Sequence, residues 1–240
     1  AALALEAYLE ANHAELAALI VEPLVQCAGG MAMYDPEYLR RARALCDRYG
    51  VHLIADEIAV GCGRSGSFFA FEQAGIVPDF LCLSKGLSGG TLPLSVVLTT
   101  DAVYAAFYDD GIARGFLHSH SYTGNPLACR AALATLEIFE TEDVLAANRR
   151  LAARINAAAA PLAADVRLAH FRNTGMIWAF EAKTEDPRFA RRFHQAALAR
   201  GLLLRPLGNT VYFMPPYILG GEEIELLISG TIGALDAVLQ

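Results

Sequence analysis

The stretch that decides the fold reads Pro78-Asp79-Phe80-Leu81-Cys82-Leu83-Ser84-Lys85-Gly86-Leu87-Ser88-Gly89-Gly90. In it an apolar run ends at an amine, and a glycine-rich loop follows. Upstream, the apolar run Val51-His52-Leu53-Ile54-Ala55 ends at the acidic pair Asp56-Glu57. Short, continuous apolar runs are typical of strands in a sheet that is covered on both faces. The two runs therefore predict neighbouring strands whose carboxyl ends, the usual ligand-binding edge, carry an acid and an amine.

Strand and helix patterns alternate through the first half of the chain. Ala17–Val21 and Ser95–Thr100 read as further strands, and Ala102–Tyr108 reads as a helix. Pro36–Tyr49 reads as a helix that Asp35 caps, because aspartate suits the N-cap and proline suits the first turn. This alternation predicts an α/β fold with a mostly parallel sheet.

The order of the predicted elements changes in the second half of the chain. A long helix is predicted from Asn125 to about residue 160, with a bend around residues 140–143. Segregated strands and helices follow: strands at 166–170 and 174–182, a helix at 187–200, a strand pair at 202–205 and 210–214, and a closing helix at 222–239. Segregation of this kind predicts a small α+β domain. We therefore divide the chain into a partial large domain, residues 1–150, and a small C-terminal domain, residues 151–240.

Composition narrows the class of protein. Hydrophobic residues make up 55% of the 240 positions and charged residues 19%, which is typical of a globular protein with a well-buried core. The net charge is −7 and no basic tract is present, so neither nucleic acid nor an anionic membrane is an expected partner. The apolar runs are of strand length, too short to span a bilayer.

The five cysteines and the first residues bear on the cellular context. The cysteines lack the spacing of a metal site, and most fall in apolar runs, which favours reduced thiols in a cytoplasmic protein. The chain begins at Ala1 and enters a helical pattern, Leu3–Glu10, directly. We therefore expect it to be part of a longer protein.

Lys85 and Asp56 together predict a binding site for pyridoxal phosphate (PLP). The chain contains only two lysines, Lys85 and Lys183, and uses arginine for its other cations. An amine can form a Schiff base with the aldehyde of PLP, and a carboxylate can keep the pyridine nitrogen protonated. Taken singly, the lysine could be a solvated strand cap and the acidic pair an ordinary turn. Their joint placement favours the cofactor site.

The segment from Phe116 to Pro126 predicts a phosphate cradle. It places several hydroxyl groups and free backbone amides directly before the long helix, whose N-terminus favours anions. The alternative is an ordinary helix cap, which needs only Asn125. His118 and His120 lie within the segment, but two histidines without a third ligand do not make a metal site.

Arg205 predicts a carboxylate-binding position. It follows the apolar run Leu202–Leu204 and precedes Pro206, and a guanidinium fork there can bind a carboxylate through two hydrogen bonds. A salt bridge at a strand end is the equal alternative from the local sequence. Tyr212, across the predicted strand pair, would line the same pocket.

These motifs together resemble the class III (fold type I) PLP-dependent aminotransferases. The resemblance rests on the stretches Leu53-Ile54-Ala55-Asp56-Glu57, Gly61-x-Gly63-Arg64-x-Gly66, Pro78-Asp79, and Ser84-Lys85-x-Leu87-x-Gly89-Gly90. Three further stretches, Glu22–Met31, His118–Pro126 and Arg205–Tyr217, narrow it to a member that aminates a keto-amino acid. The glycine-rich loop 61–66 lacks the spacing and lysine of a P-loop and reads as a tight turn near the cofactor.

The resemblance implies a role for each candidate residue. Lys85 would be the Schiff-base lysine, and Asp56 the partner of the pyridine nitrogen. Ser121 stands where the family usually has a threonine that binds phosphate from the neighbouring subunit of a homodimer, and Ser119 and His120 take the adjoining backbone positions. The resemblance further places a substrate carboxylate on Arg205 and Glu22 near the active site.

The resemblance also defines the alternatives and the missing parts. S-adenosylmethionine would be the amino donor, although some relatives use lysine. Another class III aminotransferase, acting on an ω-amino acid or an amine with pyruvate, is the second reading, and an inactive interaction module is the third. The family's N-terminal part, with its aromatic residue on the pyridine ring and its phosphate-binding Gly-Ser pair, has no counterpart here. We therefore expect the 240-residue chain alone to be inactive.

Overall fold

Strands and helices alternate over the first 107 residues of the computed structural model, which describes residues 1–239. The strands are β1 (Ala18–Val21), β2 (Val25–Gln26), β3 (Ala32–Met33), β4 (His52–Asp56), β5 (Phe80–Leu83), β6 (Val96–Thr99), β7 (Leu168–Thr174), β8 (Ile177–Ala182) and β9 (Thr210–Phe213). The α-helices are α1 (Ala2–Asn12), α2 (Pro36–Tyr49), α3 (Asp101–Phe107), α4 (Pro126–Thr141), α5 (Val144–Ala158), α6 (Ala160–Ala163), α7 (Phe189–Leu198) and α8 (Gly221–Val238).

The chain divides into two units. The first unit contains Ala1–Leu24, Tyr34–Gly63 and Ser67–Val144. The second unit begins at Leu145 and also takes in two short segments from earlier in the chain, Val25–Met33 and Arg64–Gly66. Our division of the sequence at residue 150 stays a prediction, and it does not anticipate these two segments.

A four-stranded sheet with the order β1-β4-β5-β6 forms the first unit. β1, β4 and β5 are parallel, and β6 runs antiparallel to β5. The predicted α/β class with a mostly parallel sheet is therefore confirmed. Helix α2 begins as its sequence indicates, since the Asp35 side chain accepts a hydrogen bond of 2.8 Å from the Glu37 amide. The helix ends at Gly50, whose left-handed conformation suits glycine.

An antiparallel sheet with the order β7-β8-β9 forms the centre of the second unit. Its apolar core takes in residues from this sheet and from α5, α7 and α8; the largest of its fully buried side chains are Trp178, Phe180, Phe189, Phe193 and Phe213. The indole nitrogen of Trp178 donates a 2.6 Å hydrogen bond to the Asn156 side chain, so the buried polar end of the ring is satisfied.

Two predicted strands are wrong in detail, whereas the predicted bend in the long helix is confirmed. The segment 202–205 is not a strand: β9 pairs with β8, and only a single bridge, Leu207 to Thr210, joins β9 to the preceding loop. The long helix breaks into α4 and α5 at residues 142 and 143, inside the region where a bend was predicted. The strand predicted at residues 166–170 is β7, which extends to Thr174. The turn to β8 therefore lies at residues 175 and 176, and the second strand does not begin at residue 174 as predicted. None of the described helices is long and apolar enough to cross a bilayer.

Candidate active site

The carboxyl ends of the parallel strands bring Asp56 and Lys85 to one edge of the first unit's sheet. Asp56 is the last residue of β4 and pairs in register with Cys82 of β5. Lys85 comes two residues after β5 ends, at the start of a 3-10 turn, Lys85–Ser88. Glu22 follows β1, the strand on the other side of β4. This is the edge at which α/β sheets bind ligands.

Lys85 has an unusual backbone and an available amine. Its φ is +45°, a left-handed conformation that is uncommon for a residue with a side chain. The Lys85 carbonyl accepts a 3.1 Å hydrogen bond from the Gly90 amide, which closes the turn. The side chain is exposed, and its amino group makes no hydrogen bond or ion pair with any residue in the described range 1–239. Strain of this kind persists where the surrounding structure imposes it, and it often marks a functional position.

Asp56 has a partly exposed carboxylate that its own turn orients. Its Oδ1 accepts a 3.1 Å hydrogen bond from the Ile58 amide, as in an Asx turn. Among the described residues no arginine, lysine or histidine forms an ion pair with it, so the carboxylate can still pair with a cation from a ligand. A free amine and a free carboxylate at one sheet edge fit the aldehyde and the pyridine nitrogen of PLP, respectively.

Glu57, next to Asp56, is the functional candidate that the sequence reading missed. Its carboxyl group is buried, with 1% of the residue exposed, and accepts hydrogen bonds from the Ala70 and Phe71 amides at 2.9 and 2.8 Å. Burial raises the pKa of Glu57 to about 7, against those two hydrogen bonds. The sequence offered only the pair Asp56-Glu57, which we treated as one acidic signal.

The turn that carries Lys85 packs directly on the loop after β4. A Cβ placed on Gly86 would lie 2.9 Å from the Cβ of Cys62, so this position leaves no room for a side chain. Cys62 belongs to an apolar cluster with residues of β4, β5 and α4. Burial raises the pKa of the Cys62 thiol to about 11, which keeps it a neutral packing group at physiological pH.

The predicted phosphate cradle is an exposed segment in this structure. Ser119, His120 and Ser121 are all exposed, and the hydrogen bonds recorded around them stay within the segment: the His120 amide donates to the Thr123 hydroxyl at 3.0 Å, and the Tyr122 amide to the His120 ring at 3.1 Å. Across residues 1–239 no hydrogen bond joins Ser119, His120 or Ser121 to Lys85 or Asp56. Their role in phosphate binding stays a prediction.

Arg205 and Tyr212, in the second unit, line one pocket of about 400 Å³. Strand β9 presents Tyr212, and the rest of the wall is largely apolar, with Leu204, Met214 and Pro215 among its residues. The Arg205 side chain is exposed and has no ion-pair partner within the described part of the chain. A cation beside an apolar wall suits a ligand with a carboxylate and a hydrocarbon chain. The alternative role of Arg205, a salt bridge at a strand end, lacks an acidic partner among residues 1–239.

Arg64, also in the second unit, belongs to the glycine-rich stretch 61–66, and the sequence analysis assigned it no role. One of its terminal nitrogens donates a 2.6 Å hydrogen bond to the Pro215 carbonyl, and its guanidinium lies 4.5 Å from the centroid of the Tyr217 ring. Desolvation by burial lowers the pKa of Arg64. No acidic partner for it occurs in the described range, so the carbonyl and the ring supply its compensation. Nothing in the local sequence predicts that Pro215 and Tyr217 would lie against it.

The chain matches the sequence profile of the family "Aminotransferase class-III" over residues 1–235. It is 48% identical over 240 residues to an adenosylmethionine-8-amino-7-oxononanoate aminotransferase from Helicobacter pylori, an alignment that covers 97% of this chain and 55% of that protein. The chain thus spans about half the length of the curated relatives it matches. A family of this kind implies PLP as cofactor.

Solved structures of aminotransferases have the same fold. The crystal structure of adenosylmethionine-8-amino-7-oxononanoate aminotransferase from Methanocaldococcus jannaschii superposes with a TM-score of 0.91 at 31% identity, covering 98% of this chain and 57% of that one. A PLP-bound amine transaminase from an uncultivated Pseudomonas species superposes with a TM-score of 0.87 at 33% identity, covering 99% and 57%. The predicted fold is confirmed, and the chain belongs to the class III aminotransferases.

Proposed function

We propose that the protein containing this chain converts 8-amino-7-oxononanoate to 7,8-diaminononanoate in biotin biosynthesis. The observation that carries the proposal is the pair of free ionic groups at one sheet edge, Lys85 and Asp56, in a chain whose similar relatives bear the name of that reaction. The reaction would be ping-pong, with a donor amine loading the cofactor before the ketone is aminated. S-adenosylmethionine is the proposed donor, after the name of those relatives. The proposed setting is the cytoplasm, and the proposed assembly is a homodimer that shares its active sites.

Each residue has a separate task in this proposal. Bound PLP supplies an electron sink for the carbon that gains or loses the amine. The Lys85 amine would hold the aldehyde carbon of the cofactor, and when released it would move a proton to or from the reacting carbon. The Asp56 carboxylate would keep the proton on the pyridine nitrogen, because an adjacent anion favours the protonated form.

Substrate and phosphate would be held by the remaining candidates. Arg205 would bind the substrate carboxylate through its guanidinium fork, and Tyr212 would line the pocket for the hydrocarbon chain. Ser119, His120 and Ser121 would bind the cofactor phosphate of the neighbouring subunit through hydroxyl and amide groups. Glu22 would lie near the active site and contact the substrate.

The second candidate function is another class III aminotransferase, acting on an amine or ω-amino acid with pyruvate. Two solved structures resemble this chain nearly as closely as the Methanocaldococcus jannaschii enzyme does, so the fold alone does not separate the two candidates. They are the amine transaminase and an omega-transaminase from Thermomicrobium roseum, which has a TM-score of 0.90 at 29% identity. The carboxylate pocket at Arg205 and the names of the curated relatives favour the first candidate. An inactive module is a third possibility, which we propose only for the chain without the remainder of its protein.

The test uses the protein at its full natural length, loaded with the amine form of the cofactor. Added 8-amino-7-oxononanoate should restore the absorbance of the aldehyde form, and Lys85→Ala should abolish that return. Arg205→Ala should raise KM for this substrate roughly 10- to 100-fold, the worth of a charge-assisted hydrogen bond. Arg191→Ala, which removes an exposed arginine from α7, is the matched control and should leave KM unchanged. Return of the absorbance with pyruvate alone would select the second candidate.

A further inference from the structure

Glu57 is a buried acid without a cation. Besides its neighbour Asp56, the ionisable groups that interact with it electrostatically are Glu72, Cys62 and Tyr34, none of which carries a positive charge. No ion pair to Glu57 occurs within residues 1–239. Burying a carboxyl group without a cation is costly. The two backbone hydrogen bonds that Glu57 accepts offset part of this cost, and they fix the position of the side chain.

Those two hydrogen bonds tie the end of β4 to a distant part of the loop. Oε2 accepts from the Ala70 amide and Oε1 from the Phe71 amide, so each carboxylate oxygen takes a different backbone donor. Both donors lie at the start of the 3-10 turn Ala70–Ala74. The carboxylate therefore spans 13 residues of chain and fixes the loop that leaves the sheet edge.

The main chain of Glu57 also sets the residue before it. Its amide donates to the Cys82 carbonyl at 3.0 Å, which continues the pairing with β5 past Asp56, and its carbonyl accepts from the Gly61 amide at 2.9 Å. Glu57 comes directly after β4, and because the pairing with β5 continues to its amide, the alternation of side chains along a strand turns the buried Glu57 side chain to the face opposite Asp56. Glu57 thus fixes the backbone on which the Asp56 carboxylate is mounted.

The fit around this anchor is close. A Cβ on Gly61 would lie 2.9 Å from the Glu57 carbonyl oxygen and 3.1 Å from its Oε2. Any shift of the Glu57 carboxylate would therefore disturb the turn at residues 57–61, including the Ile58 amide that orients Asp56. An added Cβ at residue 61 would therefore force the turn to shift, as would a displaced Glu57 carboxylate.

From this geometry we infer that Glu57 is a positioning residue, whose buried carboxylate holds Asp56 in the place where it meets the pyridine nitrogen of PLP. The inference rests on the proposed function, since it assigns Glu57 a purpose in the same site. It assigns no contact between Glu57 and the cofactor: Glu57 acts through the backbone of Asp56 and through the loop at Ala70 and Phe71.

The test is the pH dependence of the cofactor's absorbance in the full-length protein with PLP added. Glu57→Gln keeps the size of the side chain but presents an N–H group to one of the two backbone donors, so one hydrogen bond is lost. A displaced Asp56 holds the pyridine proton less firmly, so the absorbance transition should move in the same direction as in Asp56→Asn, by about one pH unit, a tenfold change in proton affinity. Glu140→Gln, which neutralises an exposed acid on α4 of the same unit, should leave the transition where it is.

Gly61→Ala is the second variant, for the case that Glu57→Gln does not fold. Its added methyl group would push on the Glu57 carboxylate, so this variant should also shift the transition. Folded Glu57→Gln or Gly61→Ala protein with an unchanged absorbance transition would overturn the inference, even if its stability had fallen. Failure of the proposed function is a separate outcome: the unaltered protein would then show no cofactor absorbance that Lys85→Ala removes.

Discussion

Gly86 lies against the side chain of Cys62, so closely that a Cβ on residue 86 would stand 2.9 Å from the Cys62 Cβ and 3.4 Å from its Sγ. Because Gly86 follows Lys85 directly, this contact restricts the backbone of Lys85, whose φ of +45° is uncommon for a residue with a side chain. The amine is thus carried by a turn that cannot relax toward the loop after β4.

Gly86→Ala should therefore lower both stability and PLP binding. Gly86 is itself exposed, but the added methyl would press on the buried Cys62 side chain, and overpacking against a buried group costs roughly 1–3 kcal/mol in the free energy of unfolding. Urea unfolding followed by circular dichroism measures this cost, and the cofactor absorbance measures the displacement of Lys85. Gly111→Ala is the control, because an added Cβ there meets its nearest neighbour, Asp109, only at 3.7 Å. Equal effects of the two substitutions would contradict the proposed close fit.

Gly175→Ala should be more harmful than an alanine at another left-handed glycine. Gly175 has φ +55°, and a Cβ there would lie 2.3 Å from the Ser65 carbonyl carbon and 2.6 Å from the Arg64 carbonyl oxygen. The backbone strain and the clash together should cost roughly 2–4 kcal/mol. Gly201 has φ +80° with nothing within 4 Å, so Gly201→Ala should show the strain alone, about 1 kcal/mol. Chemical denaturation of both variants tests the difference.

Much of the fold could be predicted from sequence because its signals are local. Asp35 and Pro36 predict the start of α2, and the run Leu53–Ala55 predicts a strand that ends at Asp56. The juxtaposition of Asp56 and Lys85 also followed, because carboxyl ends of parallel strands meet at one edge.

The rest depends on contacts that are distant in sequence. The run Leu202–Leu204 looks like a strand, but Leu202 belongs to the core of the second unit, where its side chain lies 2.7 Å from the place of a Gly230 Cβ, so packing on α8 decides its conformation. Strand β9 accordingly pairs with β8. Glu57 could not be identified either, since its burial depends on amides 13 and 14 residues away.

Asp79 should stabilise the first unit at neutral pH and lose that contribution in acid. Its carboxylate accepts hydrogen bonds from Arg43 at 2.6 Å and from the Leu53 amide at 2.7 Å. Burial opposes the charge, but the Leu53 amide and the Arg43 guanidinium outweigh it and lower the pKa of Asp79. The stabilisation is fully present above the pKa of an unfolded aspartate, about 3.9, and disappears as the pH falls through the lower folded value.

Asp79→Asn should consequently cost roughly 1–3 kcal/mol at pH 7 and less in acid. Asp110→Asn, at an exposed position, should change the free energy of unfolding little at either pH. Urea titrations at pH 7 and at pH 3 give the comparison. A cost for Asp79→Asn that is as large at pH 3 as at pH 7 would contradict the electrostatic origin of the effect.

Glu57 should have the opposite pH dependence. Its pKa in the folded protein, about 7, lies above that of an unfolded glutamate, so the folded state binds the proton more tightly. The contribution of Glu57 to stability is therefore largest below the unfolded pKa, about 4.3, and declines as the pH rises through 7. Glu57→Gln cannot ionise, so its free energy of unfolding should decline less between pH 5 and pH 8 than that of the unaltered protein. Parallel curves for the two proteins over this range would show that Glu57 ionises as readily when buried as in the unfolded chain, and that its two backbone hydrogen bonds offset the whole cost of burial.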